Sequence, residues 1–529
     1  MKNIYIFLFA FLSFYANSQT VTATIEYQGY EESQAYFGEG EFEIFLDNLD
    51  GVLDKPIIIM DGFDPGDSKD IAALYAELDF EGTNLADILR DEGFDIVALN
   101  FPLYITDGNA IDGGADYIQR NAMVLIELIN QINAEKVGSQ ELVVIGPSMG
   151  GLISRYALSY MEQNSLDHET RLFISFDSPH LGANIPVSFQ YILNYFAKEQ
   201  DNTDAQSVVD NVLNSAAAKE MLMDHYSGHL LAGSDFEQDP SLLLPIGAPN
   251  FRDAFQTEMD DLGFPNNVRN VSIVNGSGNG TTTGTPGMQI IDTNLDLGNN
   301  ITIDINMHFT PEAGEINNVT SFTGYFIGIP VSSFDANAES FAFTSGLDST
   351  PGGKGNMTSG LGDIDNEVIQ AFLEAIEQEE YSFIPTISAM AIDNENDWYV
   401  NPNLSDSPFV NSYIPSINEE HVTITQENAD FALEEIREGV LAVNENELSS
   451  RYHLIKNPVG KQVKIKVNAS QSYSNLEVAI YNISGQQVFQ DYIQNPSNEI
   501  VLNHTLSSGL YVLNIIDSET SFTVKLMVK

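Results

Sequence analysis

The chain of 529 residues contains no cysteine. No disulfide, thiolate metal site or cysteine nucleophile can form, and zinc could be held only by His and carboxylates. The absence leaves the compartment open, because an exported protein can do without disulfides. Bases are also scarce: 21 Lys and Arg stand against 76 Asp and Glu, a formal net charge of -55. A surface of that sign repels phosphate backbones, which excludes nucleic acid as a general partner. With 43% hydrophobic and 10% aromatic residues, the chain still has the means to bury a core. Its length predicts two to four domains, or one domain with large insertions.

Long apolar runs are missing except at the start. MKNIYIFLFAFLSFYANSQT sets Lys2 before an apolar stretch from Ile4 to Tyr15, followed by the small-residue pattern Ala16-Asn17-Ser18. This predicts a secretory signal peptide over residues 1–18, cut after Ser18. The stretch is too short for a spanning helix, which needs about 20 residues. No transmembrane segment is expected in the mature chain.

From Leu448 the composition changes. Residues 448–529 carry seven bases and five acids, a net charge of +2, leaving -57 for the rest. That break predicts a domain boundary. VKIKVNA, LEVAIYNISGQQVFQ, GLYVLNIID and SFTVKLMVK alternate apolar and polar residues between turn signals, as in a small all-β sandwich. Asn457-Pro458-Val459, the turn Ile483-Ser484-Gly485, Leu506 with Gly509-Leu510-Tyr511, and the terminal Lys525 to Lys529 resemble the type IX secretion C-terminal sorting domain. The resemblance implies engagement of the secretion machinery, passage across an outer membrane, and a secreted or cell-surface destination.

Between the ends, strand and helix patterns alternate, predicting an α/β fold with a mostly parallel sheet. The runs at Pro56 to Met60, Asp95 to Phe101, Glu141 to Ile145, Arg171 to Phe176 and Val268 to Asn275 each stop in a loop rich in Gly, Pro, Asp or Ser. Ile71 to Glu92 and Ala115 to Asn133 read as amphipathic helices. About 185–265 reads as a helical lid, and about 281–350 as a β-rich insertion, both within a domain over residues 19–447.

Chemistry concentrates at ELVVIGPSMGGLISRYAL, residues 141–158. Gly146-Pro147-Ser148-Met149-Gly150 falls between a buried strand and a helix. There a sharp turn would lift the Ser148 hydroxyl above the sheet and aim helix N–H groups at charge developing on a carbonyl. With its S-M-G-G continuation and an arginine-containing helix, the segment resembles serine hydrolases of the α/β-hydrolase fold, bacterial lipases and esterases in particular. The resemblance implies Ser148 as nucleophile and the Met149 backbone N–H as one oxyanion donor. A second donor would come from Gly62 or Phe63, where DGFDP replaces the usual HG-type motif.

Of the eight His residues, His421 best fits the fold's late base, in a polar loop before the closing helix Asn428 to Val440. His180, in the loop Asp177 to Gly182, resembles a structural lipase histidine. His225 and His229, four apart beside Asp224, could chelate a metal on one helix face, but no third ligand is evident and they read as surface residues. The usual site for the acid, after Asn275-Gly276-Ser277, holds no carboxylate. Asp177, at a strand terminus, is the first choice for its rigidity, and Asp393 is the alternative acid; Asp397 and Glu380 are weaker. The acidic clusters Asp363 to Glu367 and Asp107 to Asp116 lack the full calcium-loop spacing and read as solvated faces.

The resulting expectation is a secreted carboxylic ester hydrolase acting through an acyl-enzyme on a small-molecule or lipid ester, with no cofactor and no metal. Two other expectations stand beside it: a non-catalytic surface binding protein on the same fold, and a peptidase or amidase using the same triad.

Overall fold

In the computed structural model the chain forms two compact units, Met1–Leu433 and Glu434–Lys529. The structure describes residues 18–358, 367–441, 452–456, 459–467, 475–482, 486–494, 499–516 and 521–529. The expected signal peptide up to residue 17, most of the acidic run 363–367, and the sorting-domain signatures at 457–458 and 483–485 lie outside the described residues.

The first unit is built on an eight-stranded sheet. Its strands are β1 (Gln19–Thr22), β2 (Glu39–Phe45), β3 (Pro56–Met60), β4 (Asp95–Asn100), β5 (Leu142–Pro147), β6 (Thr170–Phe176), β7 (Arg269–Ile273) and, far later in the chain, Asn411–Tyr413. Their spatial order is β1, β2, β4, β3, β5, β6, β7 and Asn411–Tyr413. β2 runs antiparallel to both its neighbours, and the other pairings are parallel. Parallel strands sheathed on both faces need apolar residues throughout, which is why β3 is buried along its whole length.

The stretch 71–92 departs from its expected single helix. It forms two short helices, α1 (Ile71–Ala76) and α2 (Leu85–Asp91), separated by a tight hairpin. Glu81 and Gly82 take positive φ of 45° and 85°, which no helix accommodates, and Asn84 caps α2 by accepting from the Ala86 and Asp87 N–H groups. The crossover helices α3 (Ile118–Glu135) and α4 (Met149–Gln163) pack on each other and on the sheet core, through residues such as Leu125, Ile129, Ile153 and Ala157.

After β6 the chain makes a helical excursion that includes α5 (Val187–Lys198) and returns through α6 (Arg252–Leu262). After β7 it builds a separate four-stranded antiparallel sheet: β8 (Gln289–Asp296), β9 (Ile301–His308), β10 (Ile316–Phe326) and β11 (Ile329–Glu339). A two-stranded ribbon follows, β12 (Gly352–Asn356) with β13 (Glu380–Pro385), before the last sheet strand, β14 (Asn411–Tyr413), and the helix α7 (Gln426–Leu441).

The second unit consists of a three-stranded and a four-stranded antiparallel sheet. Inward residues including Val463, Ile465, Val478, Ile480, Leu513 and Leu526 form its core. Among the described residues, no helix is long and apolar enough to cross a membrane.

Candidate active site

Ser148 sits at the junction of β5 and α4 with φ 51° and ψ -127°. A serine at positive φ is strained, and three glycines make the turn possible. A Cβ on Gly146 would lie 2.4 Å from the Gly150 carbonyl oxygen, one on Gly150 would meet Met60 at 2.8 Å, and one on Gly151 would strike Ser178. The Ser148 N–H donates to the Phe176 carbonyl at 2.8 Å, tying the elbow to the end of β6.

One residue beyond that end, Asp177 also has positive φ, 47°. It is fully buried; its N–H donates to the Ile273 carbonyl at 2.7 Å, and its Oδ1 accepts from the Asn275 N–H at 3.0 Å. Its Oδ2 lies 2.7 Å from His421 Nδ1, and His421 Nε2 lies 2.8 Å from Ser148 Oγ. With a carboxylate against Nδ1, the Nδ1–H donates and Nε2 is left to accept the serine O–H. Burial excludes water from Asp177 and strengthens this orienting bond.

His421 arrives on a loop tied down by a set of hydrogen bonds. Its N–H donates to the Lys354 carbonyl on β12 at 3.0 Å, and the Lys354 N–H donates to the Glu419 carbonyl at 2.9 Å. The Lys354 ammonium bridges Glu380 and Glu420 at 2.8 and 2.7 Å. Asn418 accepts from the Ser277 and Gly352 N–H groups and donates to the Thr281 carbonyl and Thr283 Oγ1. Asn275 Nδ2 donates to Glu419 and to the Thr423 carbonyl. The Phe383 ring stands edge-on to the imidazole at 4.9 Å. Gly353 has to be glycine, since a Cβ there would lie 2.1 Å from Asp177 Oδ2.

Gly62 covers the serine; a Cβ on it would lie 3.2 Å from Ser148 Cβ. The Gly62 N–H is spent on Asp61 Oδ1 at 2.7 Å, and the Lys69 ammonium meets the same oxygen at 2.9 Å. Burial works against the Lys69 charge, but Asp61 and Glu77 outweigh it and raise the Lys69 pKa. The loop that carries Gly62 and Phe63 is thus pinned at Asp61 by the Gly62 N–H and the Lys69 ammonium. Met149 opens α4, and first-turn N–H groups have no partner within a helix. A cavity of about 380 Å³ adjoins His421, lined by Ile145, Phe176, Ile273 and Val422 together with Glu77 and Asp79; Ser148 and Gly62 are not part of its lining.

The structure therefore brings Ser148, His421, Asp177, Gly62 and Met149 to one corner. Asp393 is not among them: it is exposed, and its charge bears instead on Arg155. His180 is buried between Phe264 and Phe409, its Nε2 2.8 Å from Ser175 Oγ.

His225 and His229 differ from the surface reading. Both are buried, outside any α-helix, because each ring is used by the fold. His225 Nδ1 accepts from the Ser227 N–H while Nε2 faces the Leu213 carbonyl; His229 lies between Asp224 and the Leu242 carbonyl. No group of three His or carboxylates is arranged for a metal among the described residues. The loop clamps Asn275, Asn418 and Lys354 carried no motif, and only the paired glycines 352 and 353 signalled a close approach.

An eight-stranded sheet in this order, with a serine elbow after the fifth strand, is the α/β-hydrolase fold. Comparison with known families agrees with it. Residues 104–207 match the family described as "Putative serine esterase", and residues 456–529 match the secretion system C-terminal sorting domain. Such a tail marks a chain for export by the type IX system, to the cell surface or beyond.

Among solved structures, the chain is similar to the lipase BlEst2 of Bacillus licheniformis in propeptide form, at 11% identity and a TM-score of 0.30, covering 88% of this chain and 75% of that one. It is also similar to Est1E of Butyrivibrio proteoclasticus, at 10% identity and a TM-score of 0.23, covering 45% and 74%. Dimeric latent PorU of Porphyromonas gingivalis is similar at 18% identity and a TM-score of 0.13 over 15% of this chain, and the chain spans only 9% of its length. A search of the curated proteins finds no match. The fold assignment rests on the strand order, not on these likenesses.

Proposed function

We propose that this protein is an exported serine hydrolase that cleaves carboxylic esters. The observation that carries the reading is the unbroken hydrogen-bonded line from Ser148 through His421 to buried Asp177. His421 Nε2 takes the Ser148 proton as Oγ attacks the ester carbonyl, and Asp177 holds the ring and stabilises the imidazolium. The oxyanion rests on the N–H groups of Met149 and Phe63, the latter favoured over Gly62, whose N–H already serves Asp61. The imidazolium then protonates the departing alcohol. Water, activated by the same imidazole, attacks the acyl-enzyme and releases acid and free Ser148.

Export is read as two steps, with residues 1–18 acting as a cleaved signal peptide and the C-terminal unit engaging the secretion machinery. The hydrolase reading is tested by labelling with a fluorophosphonate and by assaying p-nitrophenyl esters of increasing chain length. The parent should be labelled at Ser148 and should turn over the esters, whereas Ser148→Ala should do neither. Labelling or hydrolysis that survives in Ser148→Ala would overturn the assignment, and a labelled enzyme that cleaves only amides would move the substrate class.

A further inference from the structure

A second cavity, of about 360 Å³, lies between α5 and the antiparallel sheet β8 to β11. Its lining shares no residue with the triad or with the loop at residues 61–63. Ile192 and Leu193 of α5 face Ile303, Ile305 and Phe322 of the sheet, all buried. The cavity is an open pocket between two apolar faces, the kind of concave apolar site in which small ligands are held.

The mouth of the cavity is also apolar. Ile301, Phe326 and Val331 line it and are 40%, 48% and 65% exposed. Phe326 and Val331 flank the turn between β10 and β11, whose other residues include Ile327 and Ile329, each 65% exposed. Ile327 carries a φ of 52° and Gly328 one of 73°. A two-residue hairpin turn of this kind ordinarily takes Asn or Asp before Gly, and a β-branched residue there is strained. The tip thus keeps a large apolar side chain in water at a conformational cost, and such outliers point to use.

The polar groups on the lining, Gln200, Asn202, Tyr325 and Ser332, are all uncharged at neutral pH, and no Lys, Arg, Asp or Glu joins them. An anionic head group would find no partner there and would be repelled by a chain of net charge -55.

We propose that this cavity binds one unbranched alkyl chain bearing an uncharged head group, admitted past the Phe326 to Val331 tip. A methylene fills about the volume of a liquid water, about 30 Å³, so the space takes on the order of twelve carbons. The site stands apart from the chemistry at Ser148, and its test is read by binding alone.

The experiment titrates the full chain carrying Ser148→Ala with monomeric n-alkyl maltosides of 6 to 14 carbons, by calorimetry. Affinity should rise about fourfold per methylene and level off near twelve carbons. n-Alkyl sulfates of equal length should bind at least about tenfold more weakly, as expected for an uncharged site in an acidic protein. Val208→Trp, which fills the cavity, should lower maltoside affinity about tenfold or more, and the exposed double substitution Phe326→Ser with Val331→Ser should lower it severalfold without altering the fold. Absence of binding, affinity that climbs without a plateau, sulfates binding as tightly as maltosides, or affinity untouched by both variants would overturn the proposal.

Flotation with phosphatidylcholine vesicles containing a monoacylglycerol, which carries one chain and an uncharged head group, separates the two sources of such a chain. A parent that floats, with the tip variant left behind, draws the chain from a lipid aggregate; a parent that binds maltosides and does not float takes free amphiphile.

Discussion

The site has two halves built by different means. Ser148 and Asp177 stand 29 residues apart at the ends of neighbouring parallel strands, where the register between β5 and β6 already brings them together. Their positions follow from the ladder itself. His421 belongs to no strand or helix, and a web of side-chain hydrogen bonds from Asn418, Asn275, Glu419 and Lys354 holds it. A sheet fixes a residue through many small backbone contributions, whereas a clamped loop depends on a few polar contacts. The strand-end half should therefore fail through chemistry, and the loop half through geometry.

The sharpest test of that contrast is Asp177→Asn. The fold should survive, because Asn keeps an oxygen that can accept from the Asn275 N–H, while turnover should fall by roughly 10⁴ through loss of the imidazolium's partner. Asp393→Asn should stay within about tenfold of the parent, a difference of about 1.4 kcal/mol at most. Parallel kinetics and thermal melts of the two variants decide between the acids.

Gly353→Val comes next. Its Cβ would push into Asp177 Oδ2, so turnover should fall on the order of 10²-fold by displacement of the acid, with a lowered melting temperature. Asn418→Ala removes four hydrogen bonds from the loop and none from the sheet. It should lower turnover about 10-fold and stability by about 1–3 kcal/mol, with fluorophosphonate labelling slowed but retained. If it behaved like the parent, the loop would be held by packing instead.

A smaller effect lies outside the site. Burial depresses the His225 pKa from 6.5 to about 4, more than the Leu213 carbonyl bond restores. The unfolded chain takes up that proton as pH falls through about 6.5, and the folded one only near 4. This histidine therefore removes stability as pH drops across that window, on the order of 3 kcal/mol in all. His225→Gln should flatten the acid limb of a denaturation series between those values and leave turnover at pH 8 unchanged.

The strands that carry the chemistry were legible in the sequence: β3 to β6 are written as short runs rich in apolar residues, and β7, which reads RNVSI, was marked by the Gly-Ser-Gly loop that follows it. The edge strands β1 and β14 were not. The first exposes three of its four residues and the second spans only three residues, so neither shows a pattern. The elbow could be read from Gly146, Ser148 and Gly150, whose identities the geometry demands. The clamps could not, since Asn418 and Lys354 resemble any other polar loop residue until the chain is folded. The helix expected at 71–92 failed at Glu81-Gly82, where amphipathic spacing continued across a turn.

The pairing of β7 with β14 has a consequence for the order of assembly. Val271 lies beside Asn411, 140 residues later, and His421 follows that strand. Closing so long a loop carries a large entropic cost before any contact rewards it, so this edge is expected to dock late. A chain with β3 to β6 formed would hold Ser148 and Asp177 with nothing between them, and would be inert. The single tryptophan, Trp398, sits in the returning segment, its N–H bonded to Thr344 Oγ1. On refolding, hydrolysis should return no earlier than the Trp398 fluorescence change, and activity ahead of it would contradict this order. Synthesis from the N-terminus thus delivers His421 after Ser148 and Asp177, and the hydrogen-bonded line through these three residues stays incomplete until then.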